Sequence, residues 1–133
     1  SDNFKEEIIK NAGENNCKVI IYYHNYNKTP SRRELKEIVN WCFDSNADIA
    51  KIACAVVNQR DSARILSLYD FDHLSSKKII SIGMGEVGKI TLILATFLGA
   101  PFTYASTSFG AETAPGQIDT VTLSYIIKRL KSV

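Results

Sequence analysis

The sequence predicts an α/β fold built from parallel βα units, and two patterns in its 133 residues support this prediction. Short apolar runs, typical of strands that are buried on both faces, begin near residues 18, 48, 78 and 101. A segment with helical periodicity lies between each run and the next, which supplies the crossover connections that parallel strands require. No linker or low-complexity segment interrupts the pattern, so we expect residues 1–133 to form a single domain.

Each predicted element has a local reason in the sequence. Strands are predicted where β-branched, aromatic and small apolar residues cluster, at residues 18–23, 48–55, 78–82 and 101–105. Helices are predicted at residues 4–15, 31–45, 61–69 and 88–98 and in a last segment whose apolar positions include Ile118, Val121, Leu123 and Ile126. Ser31 and Glu34 have the spacing of a capping box at the second helix. We expect Trp41 and the Tyr22-Tyr23 pair to be core residues.

Composition and charge are those of an ordinary soluble globular protein. The chain is 45% hydrophobic and 23% charged, and its 16 basic and 14 acidic residues are spread along its length. Because no basic stripe stands out, we expect no nucleic-acid partner. The most apolar run, residues 90–99, is too short to cross a bilayer, so we expect no membrane association and a cytoplasmic location.

Cysteine and metal-ligand patterns give no indication of a cofactor. Cys17, Cys42 and Cys54 lie in apolar contexts, where we expect them to be small buried side chains of a protein in a reducing compartment. No cluster of histidine, cysteine and carboxylate residues has metal-ligand spacing. We therefore expect neither a metal nor an organic cofactor.

Lys51 lies in the middle of the apolar strand at residues 48–55 and is the first candidate for chemistry. Alternation along the strand places Ile49 and Ala53 on the face that carries Lys51. A buried ammonium loses its hydration, which favours the neutral amine, and a neutral amine can attack a ketone or aldehyde to form a Schiff base. The alternative is a lysine at a strand end whose head group reaches solvent or a carboxylate.

His24 follows the first predicted strand, at the edge of the sheet where functional groups gather in parallel α/β folds. The turn at residues 83–88 and the loop at residues 106–117 fall at the same edge. Histidine titrates near neutral pH, so an imidazole beside a Schiff-base lysine can move protons on and off carbon and oxygen. The alternative is a histidine held by structural hydrogen bonds.

The turn at residues 83–88 reads G-x-G-x-x-G between a strand and a helix, which is the outline of a dinucleotide fingerprint. That fingerprint also requires an acidic residue at the end of the following strand, where this chain has Tyr104, Ala105 and Ser106. We therefore expect the glycines to permit a tight strand-to-helix turn whose helix start favours an anionic group. A nucleotide-binding module remains an alternative.

Together these segments resemble the type I 3-dehydroquinate dehydratases, in the same order and at fitting spacing. The segments are HNYNKTP at 24–30, DIAKIA at 48–53, MGEVG at 84–88 and APGQI at 114–118. The resemblance covers nearly the whole chain but only the second half of the family's (β/α)8 TIM barrel. A half barrel would leave its terminal strands unpaired and its inner face exposed. We therefore expect completion by association, either as a homo-oligomer or with a complementary half-barrel chain, and the alternative is rearrangement into an open doubly wound sheet.

The resemblance implies a lyase of the shikimate pathway that dehydrates 3-dehydroquinate to 3-dehydroshikimate. Lys51 would form a Schiff base with the C3 ketone, and His24 would serve as the general base and then protonate the departing hydroxyl. The other site residues implied are Gln117 and Thr113, which would bind the substrate, and Met84 and Tyr26, which would be walls of the pocket.

Two departures from the family bear on activity. The family has Ser-Arg where this chain has Thr91-Leu92, and the arginine pairs with the substrate carboxylate. Since leucine cannot bind a carboxylate, we expect weakened substrate affinity. The amino-terminal half of the barrel, which supplies further hydroxyl-binding groups in the family, is not in this sequence. The alternative function is a catalytically inactive dehydratase-like domain for binding or assembly.

Overall fold

The computed structural model describes residues 2–71, 76–107 and 116–132. Within these ranges the helices are α1 (Asp2–Glu14), α2 (Arg32–Asp44), α3 (Gln59–Ser67), α4 (Lys89–Leu94) and α5 (Thr120–Lys131). The strands are β1 (Ile20–Asn25), β2 (Ile49–Ala55) and β3 (Lys78–Met84), and short 3-10 turns cover Leu68–Asp70, Glu86–Gly88 and Ala95–Phe97. The strands form one parallel sheet in the order β1-β2-β3, which confirms the prediction of parallel βα units.

The two faces of the sheet have different environments. One face packs on α2 and α3 and forms a core around Leu35, Ala50, Ile52 and Ile65. The opposite face carries Lys51, and its apolar residues are Ile49, Ala53, Ile80 and Ile82, which pack with Leu92 and Ala95. The face predicted for Lys51 is therefore confirmed. We call it the inner face, because in a closed barrel this side of the sheet points to the axis.

Side-chain caps fix where the helices begin. The Ser31 hydroxyl accepts a hydrogen bond from the Glu34 backbone N–H at 3.2 Å, and the Glu34 carboxylate accepts one from the Ser31 N–H at 2.9 Å. The predicted capping box is thus confirmed, and such a cap is worth about 0.5–2 kcal/mol. Asn58 caps α3 through the Asp61 N–H at 2.9 Å. Asp119 caps α5 through the Thr122 N–H, so Ile118 precedes this helix and the prediction that included it was wrong.

The prediction of a fourth strand at residues 101–105 was also wrong. Pro101 has no backbone N–H to donate, and the Thr103 hydroxyl donates to the Leu92 carbonyl at 2.8 Å, which holds the segment against α4. The extended segment instead forms an isolated bridge between Ser106 and Asp119. The predicted helix at residues 88–98 divides into α4 and a 3-10 turn.

Predictions of burial were correct for the sheet and wrong for several helical and edge positions. Trp41 is 53% exposed, and the Lys5 ammonium lies 4.2 Å from its ring centroid. Tyr22 is 64% exposed, because it lies on the inner face of β1 at the edge of the sheet that has no ladder partner in the described residues. Cys17 is exposed, whereas Cys42 and Cys54 are buried as predicted, and burial raises the pKa of both buried thiols to about 11.

The glycine turn is held by close backbone packing. A Cβ on Gly88 would lie 2.5 Å from the Gly83 carbonyl oxygen, so this position admits no side chain without a shift of the backbone. The Thr91 hydroxyl accepts from the Gly83 N–H at 2.7 Å and donates to the Gly88 carbonyl at 2.6 Å. The structure confirms the prediction that these glycines serve a tight turn from β3 to α4. None of the helices in the described ranges has the length and hydropathy needed to span a membrane.

We expect Gly88→Ala to lower the free energy of unfolding by about 1–3 kcal/mol, because the added methyl meets backbone atoms of Gly83. Gly13→Ala is the matched control, since a Cβ on this helical glycine meets nothing within 4 Å. The control should leave stability unchanged or raise it by about 0.4–1 kcal/mol. Urea unfolding followed by circular dichroism measures both, and equal stabilities of the two variants would contradict the packing described here.

Candidate functional site

A cavity of about 370 Å³ opens on the inner face at the carboxyl ends of the strands. The predicted site residues that line it are Lys51, His24, Met84, Tyr26 and Gln117. Thr113, the remaining predicted site residue, lies outside the described residues. A cavity of about 460 Å³ between α1 and α2 includes Trp41 and Lys5 but no residue from a strand end, and we assign no chemistry to it.

Lys51 is positioned by the ladders on both sides of β2. It lies opposite Tyr22 of β1 and Ile80 of β3, and its side chain is half-buried. Its ammonium lies 4.2 Å from the centroid of the Tyr104 ring, a contact that holds the amine by cation–π attraction. No carboxylate in the described part of the chain forms an ion pair with it. Within the described residues the amine therefore faces the cavity, and of the two alternatives to a Schiff-base role, a carboxylate partner has no support while contact with solvent stays open.

His24 lies on the same face, one strand away, and its ring contacts two tyrosine rings. The Tyr22 ring packs at a centroid distance of 4.9 Å with an angle of 32° between the planes. The Tyr26 ring meets His24 edge-on at 5.7 Å, and the Tyr26 hydroxyl lies 3.1 Å from Nδ1. Burial and the nearby Lys51 charge lower the pKa of His24 below its usual 6.5. Near neutral pH the imidazole is therefore mainly uncharged, which is the form that accepts a proton.

Local hydrogen bonds fix the loop that follows β1. The Asn25 side chain accepts from the N–H groups of Asn27 and Lys28, both at 3.0 Å. The Thr29 hydroxyl is buried and donates to the Ala55 carbonyl at the end of β2, at 2.7 Å. The Arg64 guanidinium donates to the Thr29 carbonyl at 3.2 Å. Polar residues of the HNYNKTP segment thus tie the His24 strand to the Lys51 strand.

Gln117 reaches the cavity through a contact between two glycines. Gly85 and Gly116 have φ of +103° and +82°, values that residues with a Cβ atom rarely adopt. A Cβ on Gly116 would lie 2.1 Å from the Gly85 carbonyl oxygen, so the two backbones touch. This contact places Gln117 beside Met84 at the cavity.

Sequence reasoning missed Tyr104, which lines the cavity and covers the Lys51 amine. It lies one residue before the end of the run predicted as a fourth strand, and its role depends on a contact with Lys51 that the sequence does not indicate. Leu92 lines the same cavity and is 3% exposed, so the position singled out as a departure does face the site. An amine, an imidazole and apolar walls in one cavity are the groups needed for proton transfer around an imine.

Comparisons with known proteins give a consistent result. Residues 1–132 match the family model described as type I 3-dehydroquinase. A 3-dehydroquinate dehydratase from Methanocaldococcus jannaschii is 41% identical over 123 residues, which are 91% of this chain and 54% of that protein. One from Methanosarcina mazei is 34% identical over 128 residues, covering 96% of this chain and 52% of the relative.

Solved structures agree with the sequence relatives. The type I 3-dehydroquinate dehydratase from Clostridium difficile, solved with covalent modified comenic acid, aligns with a TM-score of 0.85 and 27% identity. The match covers 100% of this chain and 53% of that one. The enzyme from Aquifex aeolicus aligns with a TM-score of 0.83 and 28% identity, over 100% of this chain and 58% of that one. The chain thus spans about half the length of its relatives, as expected for half of such a barrel.

Replacing Lys51 with methionine should raise the pKa of His24, because the variant lacks the positive charge that disfavours protonation of the imidazole. The pKa should stay below the ordinary value, since burial is the larger cause of the shift. Lys28→Met is the control, because this exposed lysine is not among the causes of the His24 shift. An NMR titration of the histidine ring protons measures the change, and an unaltered His24 pKa in Lys51→Met would contradict the described proximity.

Proposed function

Because the chain belongs to the type I 3-dehydroquinase family, we propose that it carries the Schiff-base lysine and the acid–base histidine of a 3-dehydroquinate dehydratase. The observation that carries this proposal is that Lys51 and His24, on adjacent strands, line one cavity at the carboxyl ends of the sheet. The covalent complex of the Clostridium difficile relative is in keeping with covalent chemistry.

The proposed reaction begins when Nζ of Lys51, as the free amine, attacks the C3 ketone carbon of 3-dehydroquinate. One proton is taken up from solvent as water leaves to give an iminium, and the final hydrolysis returns that proton. His24 removes a proton from C2, and the electron pair of that C–H bond moves into the iminium to form an enamine. The enamine expels the C1 hydroxyl, which takes the proton from the imidazolium and departs as water. Hydrolysis of the restored iminium releases 3-dehydroshikimate and the lysine, so the net change is loss of one water.

The remaining site residues have binding roles in this proposal. Gln117 offers an amide whose NH2 group donates to the substrate carboxylate or hydroxyls and whose oxygen accepts from a substrate hydroxyl. Thr113 would add a hydroxyl. Met84 and Tyr26 are walls of the cavity. Tyr104 joins them by packing on the Lys51 amine.

Leu92 weakens the proposed site for an anionic substrate. Its side chain offers no donor where a guanidinium would pair with the carboxylate. Lys89, the nearby cation in the same turn, pairs with Glu86 at 2.8 Å and does not line the cavity. This observation favours the second candidate function, a dehydratase-like domain that retains the fold for binding or assembly without efficient turnover.

On the β1 side of the cavity, the wall would come from residues outside the described half barrel. Ladder pairing of β1 in the described residues is with β2 only, so its other edge is open. Ile20 on this strand is 39% exposed and Tyr22 is more exposed still, although both point to the inner face. We propose that a complementary half barrel pairs with β1 and covers these residues. It would be another segment of the same polypeptide, a different chain or a second copy of this chain.

Incubation with 3-dehydroquinate and borohydride should reduce the iminium and leave a stable secondary amine on Lys51, which peptide mass spectrometry locates. Lys51→Met should give no adduct, and Lys10→Met, which alters an exposed lysine of α1, should label as the parent chain does. Labelling of other lysines with none at Lys51 would remove the basis of the Schiff-base proposal.

Replacing Leu92 with arginine should strengthen binding of 3-dehydroquinate by about 10- to 100-fold, because a charge-assisted bidentate pair with the carboxylate becomes available. Leu92→Met keeps the volume without the charge and should leave affinity near the parent value. Isothermal titration calorimetry on folded variants measures the dissociation constants. Equal affinities of the arginine and methionine variants would show that the carboxylate binds elsewhere.

A further inference from the structure

We propose that Tyr26 is a positioning residue: its hydroxyl holds Nδ1 of His24 and leaves Nε2 as the nitrogen that exchanges protons with the substrate. The inference rests on the proposed function and adds a hydroxyl to the wall role already given to Tyr26. Its geometric basis is the 3.1 Å separation between the Tyr26 hydroxyl oxygen and Nδ1.

The loop geometry presents Tyr26 to His24. The Asn25 carboxamide oxygen accepts from the N–H groups of Asn27 and Lys28, so the side chain that precedes Tyr26 holds the backbone that follows it. Asn25 is itself held, because its amide donates to the Tyr23 hydroxyl at 3.0 Å. The Tyr26 ring consequently stands edge-on to the imidazole, at 74° between the planes, with its hydroxyl at the nitrogen.

A neutral imidazole carries one N–H, and the position of that hydrogen decides which nitrogen is a base. When Nδ1–H donates to the Tyr26 oxygen, Nε2 keeps its lone pair and can accept a proton. After Nε2 is protonated, Nδ1–H still donates to the same oxygen. One hydrogen bond thus serves both the base form and the acid form of His24, which the proposed reaction uses in turn.

Tyr22 contacts the same ring in a different way. Its ring packs on the face of His24 with only 32° between the planes, and its relation to the imidazole is a ring contact. Tyr22→Phe keeps that ring and removes a hydroxyl. It is therefore a matched control for Tyr26→Phe, which removes the hydroxyl that meets Nδ1.

The test is the tautomer of His24, measured by long-range ¹H–¹⁵N NMR without substrate, at a pH well above the ordinary histidine pKa of about 6.5. The parent chain should show mainly the Nδ1–H tautomer at His24. Tyr26→Phe should shift the tautomer ratio about 2- to 10-fold toward Nε2–H, the change expected for loss of one ordinary hydrogen bond. Tyr22→Phe should leave the ratio unchanged. His73, the second histidine of the chain, serves as an internal reference.

Tyr26 is 71% exposed, so replacement by phenylalanine removes no core contact and leaves the fold intact, which the same spectra verify. A parent chain with mainly Nε2–H, or a ratio that Tyr26→Phe does not change, would overturn the proposal. Borohydride labelling separates this from the function itself: an adduct on Lys51 with an unshifted tautomer overturns the role of Tyr26 alone. A shifted tautomer without any adduct supports Tyr26 as the group that holds His24 and overturns the dehydratase proposal.

Discussion

The site depends on the parallel ladder between β1 and β2. Its register pairs Tyr22 with Lys51 and His24 with Ala53, which places the amine and the imidazole on one face and near one end of the sheet. A slip of one residue would turn every β1 side chain to the other face and separate the two groups. The Thr29 hydroxyl, bonded to the Ala55 carbonyl, and the Asp48 carboxylate, which accepts from the Val19 N–H at 2.7 Å, tie the strands together at both ends. These contacts therefore fix the register of β1 against β2 and also stabilise the fold.

The rest of the cavity is assembled by close backbone contacts that only glycine, which has no Cβ atom, allows. Gly83 near the end of β3 touches Gly88 at the end of the turn, and Gly85 in the turn touches Gly116 in the segment before α5. The first contact sets the direction of α4 and brings Leu92 over the inner face, and the second brings in Gln117. The G-x-G-x-x-G pattern of this chain serves close backbone packing beside the cavity, so the pattern by itself is no evidence for a phosphate site.

The sequence predicted what local signals determine and was wrong where a distant partner decides. Alternation along residues 48–55 was enough to assign the face of Lys51, and the Ser31 and Glu34 spacing was enough to place the start of α2. The run at residues 101–105 has strand-like residues, yet pairing requires a free N–H and an aligned neighbour, which Pro101 and the Thr103 bond to α4 deny it. Exposure of Tyr22 and Trp41 could not be read from their apolar neighbours, because burial depends on what covers the inner face and the helices. Tyr104 was missed because its role arises from a contact with Lys51 across the cavity.

The central claim is that one amine and one imidazole act on the same substrate from adjacent strands. A crystal structure of the borohydride-reduced complex with 3-dehydroquinate tests it most directly, because it locates the new bond and the base together. The account predicts a single bond from Nζ of Lys51 to the former C3 carbon, with Nε2 of His24 the nearest protein base to C2 and Nδ1 on the Tyr26 hydroxyl. A reduced adduct on another residue, or a substrate whose C2 lies out of reach of His24, would contradict it.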